Sequence, residues 1–304
     1  MQGFVIVNKE KGFTSHDVVA KCRGIFGQKR IGHTGTLDPE AEGVLIVCLG
    51  KATKAVEDLS AARKTYRATL RLGIETDTQD TTGTVIKTGN VLVEEDLIKS
   101  TMASFVGDSL QTPPMYSAKK VQGKKLYELA REGKEVARKQ ALITVYGLTI
   151  EAMNLPDVIF TADVSKGTYI RTLCHDIGQK LGCGGAMAAL FRTHVGAFDV
   201  SQSFSLAELQ SLKEKGHLNE AVHPIEEIYA GCSAMQIRPD YEKMLLNGNR
   251  LPKDGLISIK KNTQTGEDPR RKIRVYDSKG RFFALYEADP EKSDFKPDKI
   301  FAEI

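Results

Sequence analysis

Short apolar runs and strictly alternating stretches, divided by turns bearing Gly, Pro and Asp, set the pattern of the chain. The opening FVIVNK is a continuous apolar run and predicts a buried strand. TSHDVVAKCRGIFG follows at helical spacing. Val18, Val19, Cys22, Ile25 and Phe26 share one face, and Thr14 and Asp17 are spaced like a capping box. GVLIVCLG, short and rich in β-branched residues, predicts a central strand. KTYRATLRLG alternates, with Tyr66, Ala68, Leu70 and Leu72 on one face and Thr65, Arg67, Thr69 and Arg71 on the other, as in a half-buried strand. TDTQDTTG is polar and turn-rich, and EEDLIKSTMASFVG puts Leu97, Ile98, Met102 and Phe105 at helical spacing. ALITVYGLTI and DVIFTADVS return to strand character before KGTYIRTLCHDIGQKLG, a helix whose stripe is Ile170, Leu173, Ile177 and Leu181. SLAELQSLKEKG predicts another helix, and around Cys232 and Ala234 the pattern changes to short strands. The expectation is a mixed α/β fold in two units, residues 1–233 and a smaller β-rich one over 234–304.

Between the alternating strand and the later ones, QTPPMYSAKKVQGKKLYELAREGKEV has little to bury and reads as a protruding insertion, residues 108–146 or so. Charge sharpens this picture. From Met115 to Tyr146 there are eight basic residues (Lys119, Lys120, Lys124, Lys125, Arg131, Lys134, Arg138, Lys139) against Glu128, Glu132 and Glu135. The segment's net +5 exceeds the +4 of the whole chain. With Tyr116 and Tyr127 interleaved, it suits an arm facing RNA phosphates and bases, although Glu128 and Glu132 could also pair with Lys124 and Arg131 on a solvated helix.

Composition bounds the rest. The 304 residues have room for one large domain and one small one, on roughly 100 to 200 residues per domain. No apolar stretch approaches the roughly 18 residues of a membrane helix, and MQGFVIVNKEKG lacks the features of a secretory signal, so a soluble cytoplasmic protein is expected. Cys22, Cys48, Cys174, Cys183 and Cys232 are odd in number and scattered, without C-x-x-C, which argues against a disulfide framework and a zinc knuckle. His33 has no ligand-spaced neighbours, so no metal is expected.

The candidate chemistry lies in GHTGTLDPEAEGVL, Gly32 to Leu45. Its glycines allow close approach of a ligand to the backbone, His33 adds a flat polar ring, and Asp38 supplies a carboxylate just before an apolar strand. This stretch resembles the central motif of the TruB family of tRNA pseudouridine-55 synthases. VNKEKGFTSHDVV, KTYRATLRLG, PPMYSAKKVQGKKLYELAREG, SKGTYIRTLCHDIGQKLG and ALFRTHVGAF resemble the family in the same order, and the tail resembles a PUA domain.

The resemblance implies a catalytic domain with a central, mainly antiparallel sheet, an inserted RNA-binding arm and a C-terminal PUA-like RNA-binding domain. It implies isomerisation of uridine 55 in the T-loop of tRNA, without a cofactor. Asp38 matches the catalytic aspartate, which either attacks C1′ or first promotes a glycal-type elimination. Arg171 matches the arginine that keeps it ionised, and Tyr66 the active-site tyrosine. Tyr169 and Leu190 match pocket positions and His33 an RNA contact; Lys9 and the arm residues Lys119, Lys120, Lys124 and Lys125 are counted with the substrate-binding positions. Glu10, where the family usually has proline, and Phe191, in place of a common basic residue, depart from the pattern. So does IKKNTQTGEDPRRKIRVYD, with six basic residues: a loop reaching the acceptor stem or a bare hairpin tip. Rival expectations are a non-catalytic tRNA-binding or tRNA-folding protein, and the same chemistry on another RNA.

Overall fold

The computed structural model describes residues 1–117, 119–121, 123–260 and 272–302, with the side chains of Lys120 and Lys125 left aside. Its large sheet is built from β1 (Gly3–Lys9), β2 (Ile31–Thr34), β3 (Glu42–Leu49) and β4 (Lys64–Leu72), then, beyond the small hairpin β5 (Ile74–Thr76) and β6 (Val85–Thr88), from β7 (Gly107–Gln111). A second hairpin, β8 (Lys120–Val121) and β9 (Lys124–Lys125), precedes β10 (Ala141–Asn154), β11 (Asp157–Val164), β12 (Gly185–Val195) and β13 (Phe198–Asp199). The order across the sheet is β1-β3-β12-β4-β11-β10-β7, with β2 also on β3 and β13 on β12. Every pairing in it is antiparallel except β12 with β3.

Helices cover the sheet as the apolar spacing requires. α1 (Ser15–Phe26) carries the Thr14–Asp17 capping box and buries Val18, Val19, Cys22, Ile25 and Phe26, the face expected from the sequence. After α2 (Val56–Ala61), α3 (Glu95–Ala103) differs in part. Ile98 and Met102 are buried, each worth about 1.5–3 kcal/mol, but Leu97 is 53 % exposed and Phe105 lies beyond the helix end. A step of one residue turns a side chain by about 100°, so Leu97 falls off the stripe that Ile98 and Met102 define.

The insertion holds the β8–β9 hairpin and α4 (Leu126–Arg131). It is shorter than expected, because β7 pairs with β10 in the register Gln111↔Ala141 to Gly107↔Val145 and so belongs to the sheet edge. α5 (Ile170–Lys180) packs on the same core as α3, and α6 (Leu206–Glu214) packs with α1.

From Ser233 a second sheet forms from β14 (Ser233–Ile237), β15 (Leu251–Pro252), β16 (Leu256–Lys260), β17 (Lys272–Tyr276), β18 (Phe282–Asp289) and β19 (Asp294–Ile300), with the short α7 (Glu242–Leu246) alongside. It is fastened to the first. Leu285 and Phe301 share a core with Phe4, Ile46 and Tyr229, and Asp58 of α2 accepts from Tyr229 Oη at 2.7 Å and from Lys299. Most of the basic segment expected between β16 and β17, residues 261–271, lies outside the described residues. Two of its six cations are engaged in the fold: Lys272 pairs with Asp298 at 2.8 Å, and Arg274, 8 % exposed, donates to the Cys232 carbonyl.

Candidate active site

The motif loop between β2 and β3 is held by buried cations. Lys9 is fully buried, and its Nζ donates to the carbonyls of Glu10 (3.0 Å), Phe13 (2.7 Å) and Pro39 (3.0 Å). Arg192, 1 % exposed on β12, donates to Gly35 and Val44 carbonyls at 2.9 and 2.7 Å. Ser15 Oγ accepts from Leu37 N at 2.9 Å. Gly43 must be glycine: at φ +101° a Cβ would come within 2.2 Å of the Arg192 carbonyl oxygen. Charge-assisted donors on main-chain oxygens thus fix the loop's path and with it the direction of Asp38.

Asp38 meets Arg171 of the first turn of α5. Arg171 Nε lies 2.9 Å from Asp38 Oδ2 and Nη2 lies 3.2 Å from Oδ1, a two-pronged pair between residues 133 apart in sequence. The remaining donors are also occupied: Nη2 reaches the Tyr116 carbonyl at 2.7 Å, and Nη1 reaches the Thr78 carbonyl at 3.1 Å and Asp80 Oδ2 at 3.5 Å. The guanidinium side chain is 5 % exposed, whereas Asp38 keeps 38 % of its side-chain surface, facing the cavity. Burial pushes the Asp38 carboxyl above its ordinary range, Arg171 opposes this, and the Asp80 charge adds to the upward push.

Two cavities, of about 1090 and 410 Å³, meet at this pair, and Asp38, Arg171, Leu190, Thr36, Leu37 and Ser117 line both. Tyr66, 8 % exposed on β4, and Tyr169, just before α5, line the smaller one with Lys64 and Lys119. Gln111 holds Tyr169 from both sides, accepting from its N–H at 2.8 Å and donating to its carbonyl at 3.1 Å. The larger cavity is walled by the arm: Tyr116, Tyr127 and Arg131 line it, with the Arg131 guanidinium 5.6 Å from the Tyr127 ring centre.

Asp38, Tyr66, Arg171, Tyr169 and Leu190 thus line the two cavities around one pair, and Lys119, expected on an arm away from the pocket, lines the smaller cavity as well. Lys9 is not with them as a substrate contact. With no exposed surface and three carbonyls on its ammonium, it positions the loop, and burial lowers its pKa to about 8. His33 sits on β2 rather than in the loop and does not line either cavity. It packs edge-on against His16 at 5.2 Å between ring centres, and burial holds its pKa down at about 4, so it is neutral at pH 7. His16, exposed at the start of α1, is the ring of the pair that lines the larger cavity. Lys124 stands on the arm surface 3.9 Å from Glu132, a weak exposed pair; the backbones of Lys120 and Lys125 are register partners in the β8–β9 hairpin.

Sequence reasoning missed Asp80 and the Thr78 and Tyr116 carbonyls. The polar TDTQDTTG gave a turn signal only, and pairings such as Arg171 with Thr78, 93 residues apart, leave no local periodicity.

A carboxylate clamped to a buried guanidinium therefore sits at the junction of two cavities, with Tyr66 on one side and the basic arm on the other. The model described as TruB family pseudouridylate synthase (N terminal domain) matches residues 23–170, and that of the tRNA pseudouridylate synthase B C-terminal domain matches residues 171–230. The proteins named tRNA pseudouridine synthase B from Lachnoclostridium phytofermentans and Geobacter sulfurreducens are 43 % and 47 % identical to it. The first alignment covers 99 % of this chain and all of the relative, the second 73 % of each. A solved H/ACA RNP bound to a substrate RNA containing 2′-deoxyuridine includes a chain 26 % identical, with a TM-score of 0.76 over 99 % of this chain and 85 % of that one. A Cbf5-Nop10-Gar1 complex gives the same TM-score at 28 % identity and the same coverage. The chain belongs to the TruB family of pseudouridine synthases.

Proposed function

We propose that this protein converts uridine 55 in the T-loop of tRNA to pseudouridine, in the cytoplasm and without a cofactor. The observation that carries the reading is the Asp38–Arg171 pair at the junction of two cavities, with Tyr66 beside it. The target nucleotide flips out of the loop and enters the smaller cavity, where Tyr66 stacks on the uracil. The N1–C1′ bond breaks, leaving C1′ electron-deficient, and the ionised Asp38 captures or stabilises that centre. The uracil rotates, C5 bonds to C1′, the C5 hydrogen leaves as a proton and N1 gains one, so the net reaction is an isomerisation. Tyr66 Oη serves the proton transfer. Arg171 counters the desolvation that favours the protonated, inactive Asp38.

The arm clasps the T-stem through Lys119, Lys120, Lys124 and Lys125, while Tyr127 and Arg131 offer stacking surfaces to loop nucleotides. The His16–His33 pair fills space that the flipped base vacates, with His16 outermost. Residues 234–304 act as a PUA-like RNA-binding unit. Similarity over 99 % of this chain to a relative named tRNA pseudouridine synthase B, at 43 % identity, favours tRNA over the substrate RNA of the H/ACA RNP neighbour, at 26 %. The test is incubation with an unmodified tRNA transcript followed by base-specific mapping of pseudouridine. One modified position, 55, is expected, and a transcript with cytidine there should stay unmodified. Modification elsewhere, or none, overturns the reading.

A further inference from the structure

Ser117 opens the arm, and nothing in the family likeness or the electrostatics of the pair explains its side chain. The residue is 4 % exposed, and among the described residues its Oγ has no hydrogen-bond partner. A buried hydroxyl left unpaired is costly, so its retention at a ligand cavity points to a partner that arrives with the ligand. Its place is narrow. Ser117 lines both cavities, as do Asp38 and Arg171, whose charged groups are already committed to one another.

The main chain holds it there. Ser117 N donates to the Met115 carbonyl at 2.9 Å, Tyr127 N donates to the Ser117 carbonyl at 3.1 Å, and the adjoining Tyr116 carbonyl accepts from Arg171 Nη2. Its hydroxyl has the staggered positions of a single side-chain bond available to it.

We infer that Ser117 is a substrate-binding residue whose hydroxyl hydrogen-bonds the ribose 2′-hydroxyl of the flipped uridine, so that this site reads the sugar at the target position. Given the proposed function, on which this rests, Asp38 must reach C1′. A polar group in the same wall then meets the atoms beside C1′, and the 2′-hydroxyl on C2′ is both donor and acceptor, as serine is. The 2′-hydroxyl is also the group by which a protein separates RNA from DNA at one nucleotide.

The test uses two tRNAs, one with uridine and one with 2′-deoxyuridine at position 55 alone. Binding is measured to full-length protein carrying Asp38→Asn, so that neither RNA is converted. With Ser117 in place, the ribose form is expected to bind about three- to tenfold more tightly, the range of one hydrogen bond. In Ser117→Ala, and in Ser117→Gly as a second variant, the two RNAs should bind within twofold of each other, with the deoxy affinity unchanged. A protein with Ser117 that does not prefer ribose overturns the inference, whatever the variants do. So does a preference that survives in the variants, or an equal loss on both RNAs. Conversion of the uridine tRNA by the wild-type protein tests the proposed function separately.

Discussion

Arg171→Lys keeps the charge and removes the fork. The guanidinium grips both Asp38 oxygens and also serves the Tyr116 and Thr78 carbonyls and Asp80. A lysine ammonium is one point with three donors, and it cannot span this set. Hydrogen bonds to charged groups contribute about 1.5–3 kcal/mol each. Because Asp38 is 38 % exposed and partly screened, the lower end applies. Loss of two such bonds is about 3 kcal/mol, roughly 150-fold in rate. The assay is single-turnover release of tritium from C5 of the target uridine, followed across pH. In the proposed mechanism Asp38 works ionised, so activity should fall as pH drops through its pKa. That pKa is already raised by burial, and weakening its main opponent raises it further, moving the acid limb of the variant to higher pH. A loss under tenfold with an unmoved limb would refute this account of the pair.

Asp80→Asn should move the same limb the other way, to lower pH, because Asp80 pushes the Asp38 pKa up; the rate should also fall several-fold as Arg171 Nη1 loses an ion pair. A limb that stays or rises contradicts the assignment. Lys9→Met leaves three carbonyls unpaired and should cost about 3 kcal/mol of stability by denaturant titration. Wild-type stability should rise between pH 8 and the ordinary lysine value of 10.5, since the unfolded chain holds protons that the folded Lys9 and Lys64, both near 8, have released. The variant should keep only the Lys64 part of that rise, and an unaltered rise would remove Lys9 from the account. Changing Lys119, Lys120, Lys124 and Lys125 together to Gln should weaken tRNA binding and flatten its salt dependence by about 0.7–0.9 in log–log slope for every phosphate no longer neutralised. Unchanged affinity and slope would make the cluster surface charge only.

Local patterning carried much of the fold. The α1 face, the alternation of β4 and the buried run of β3 follow from spacing alone, because each is decided within a few residues. Asp38 stood out in its glycine-bearing loop, but its expected role came from the resemblance, and Arg171 was legible only through the resemblance of its motif, since an arginine at a helix start has no local signature for catalysis. Lys9 was misjudged for a physical reason: a lysine beside the charged turn Glu10–Gly12 looks solvent-facing in sequence, whereas three converging carbonyls make burial possible. Asp80 and Ser117 were invisible because their significance lies in what the fold brings near them, a guanidinium in one case and an empty hydrogen-bonding position in the other. The arm's extent was overestimated because the polar, exposed strand β7 has no apolar pattern to mark it as sheet.

The central claim is that the Asp38 carboxylate performs the chemistry of a tRNA uridine isomerase. The most direct measurement compares wild type and Asp38→Asn on one unmodified tRNA transcript, following pseudouridine at position 55 and tRNA affinity in parallel. The amide keeps the shape of the side chain and loses its charge, so isomerisation should vanish while affinity stays within a few-fold. Turnover by Asp38→Asn within tenfold of wild type would contradict it.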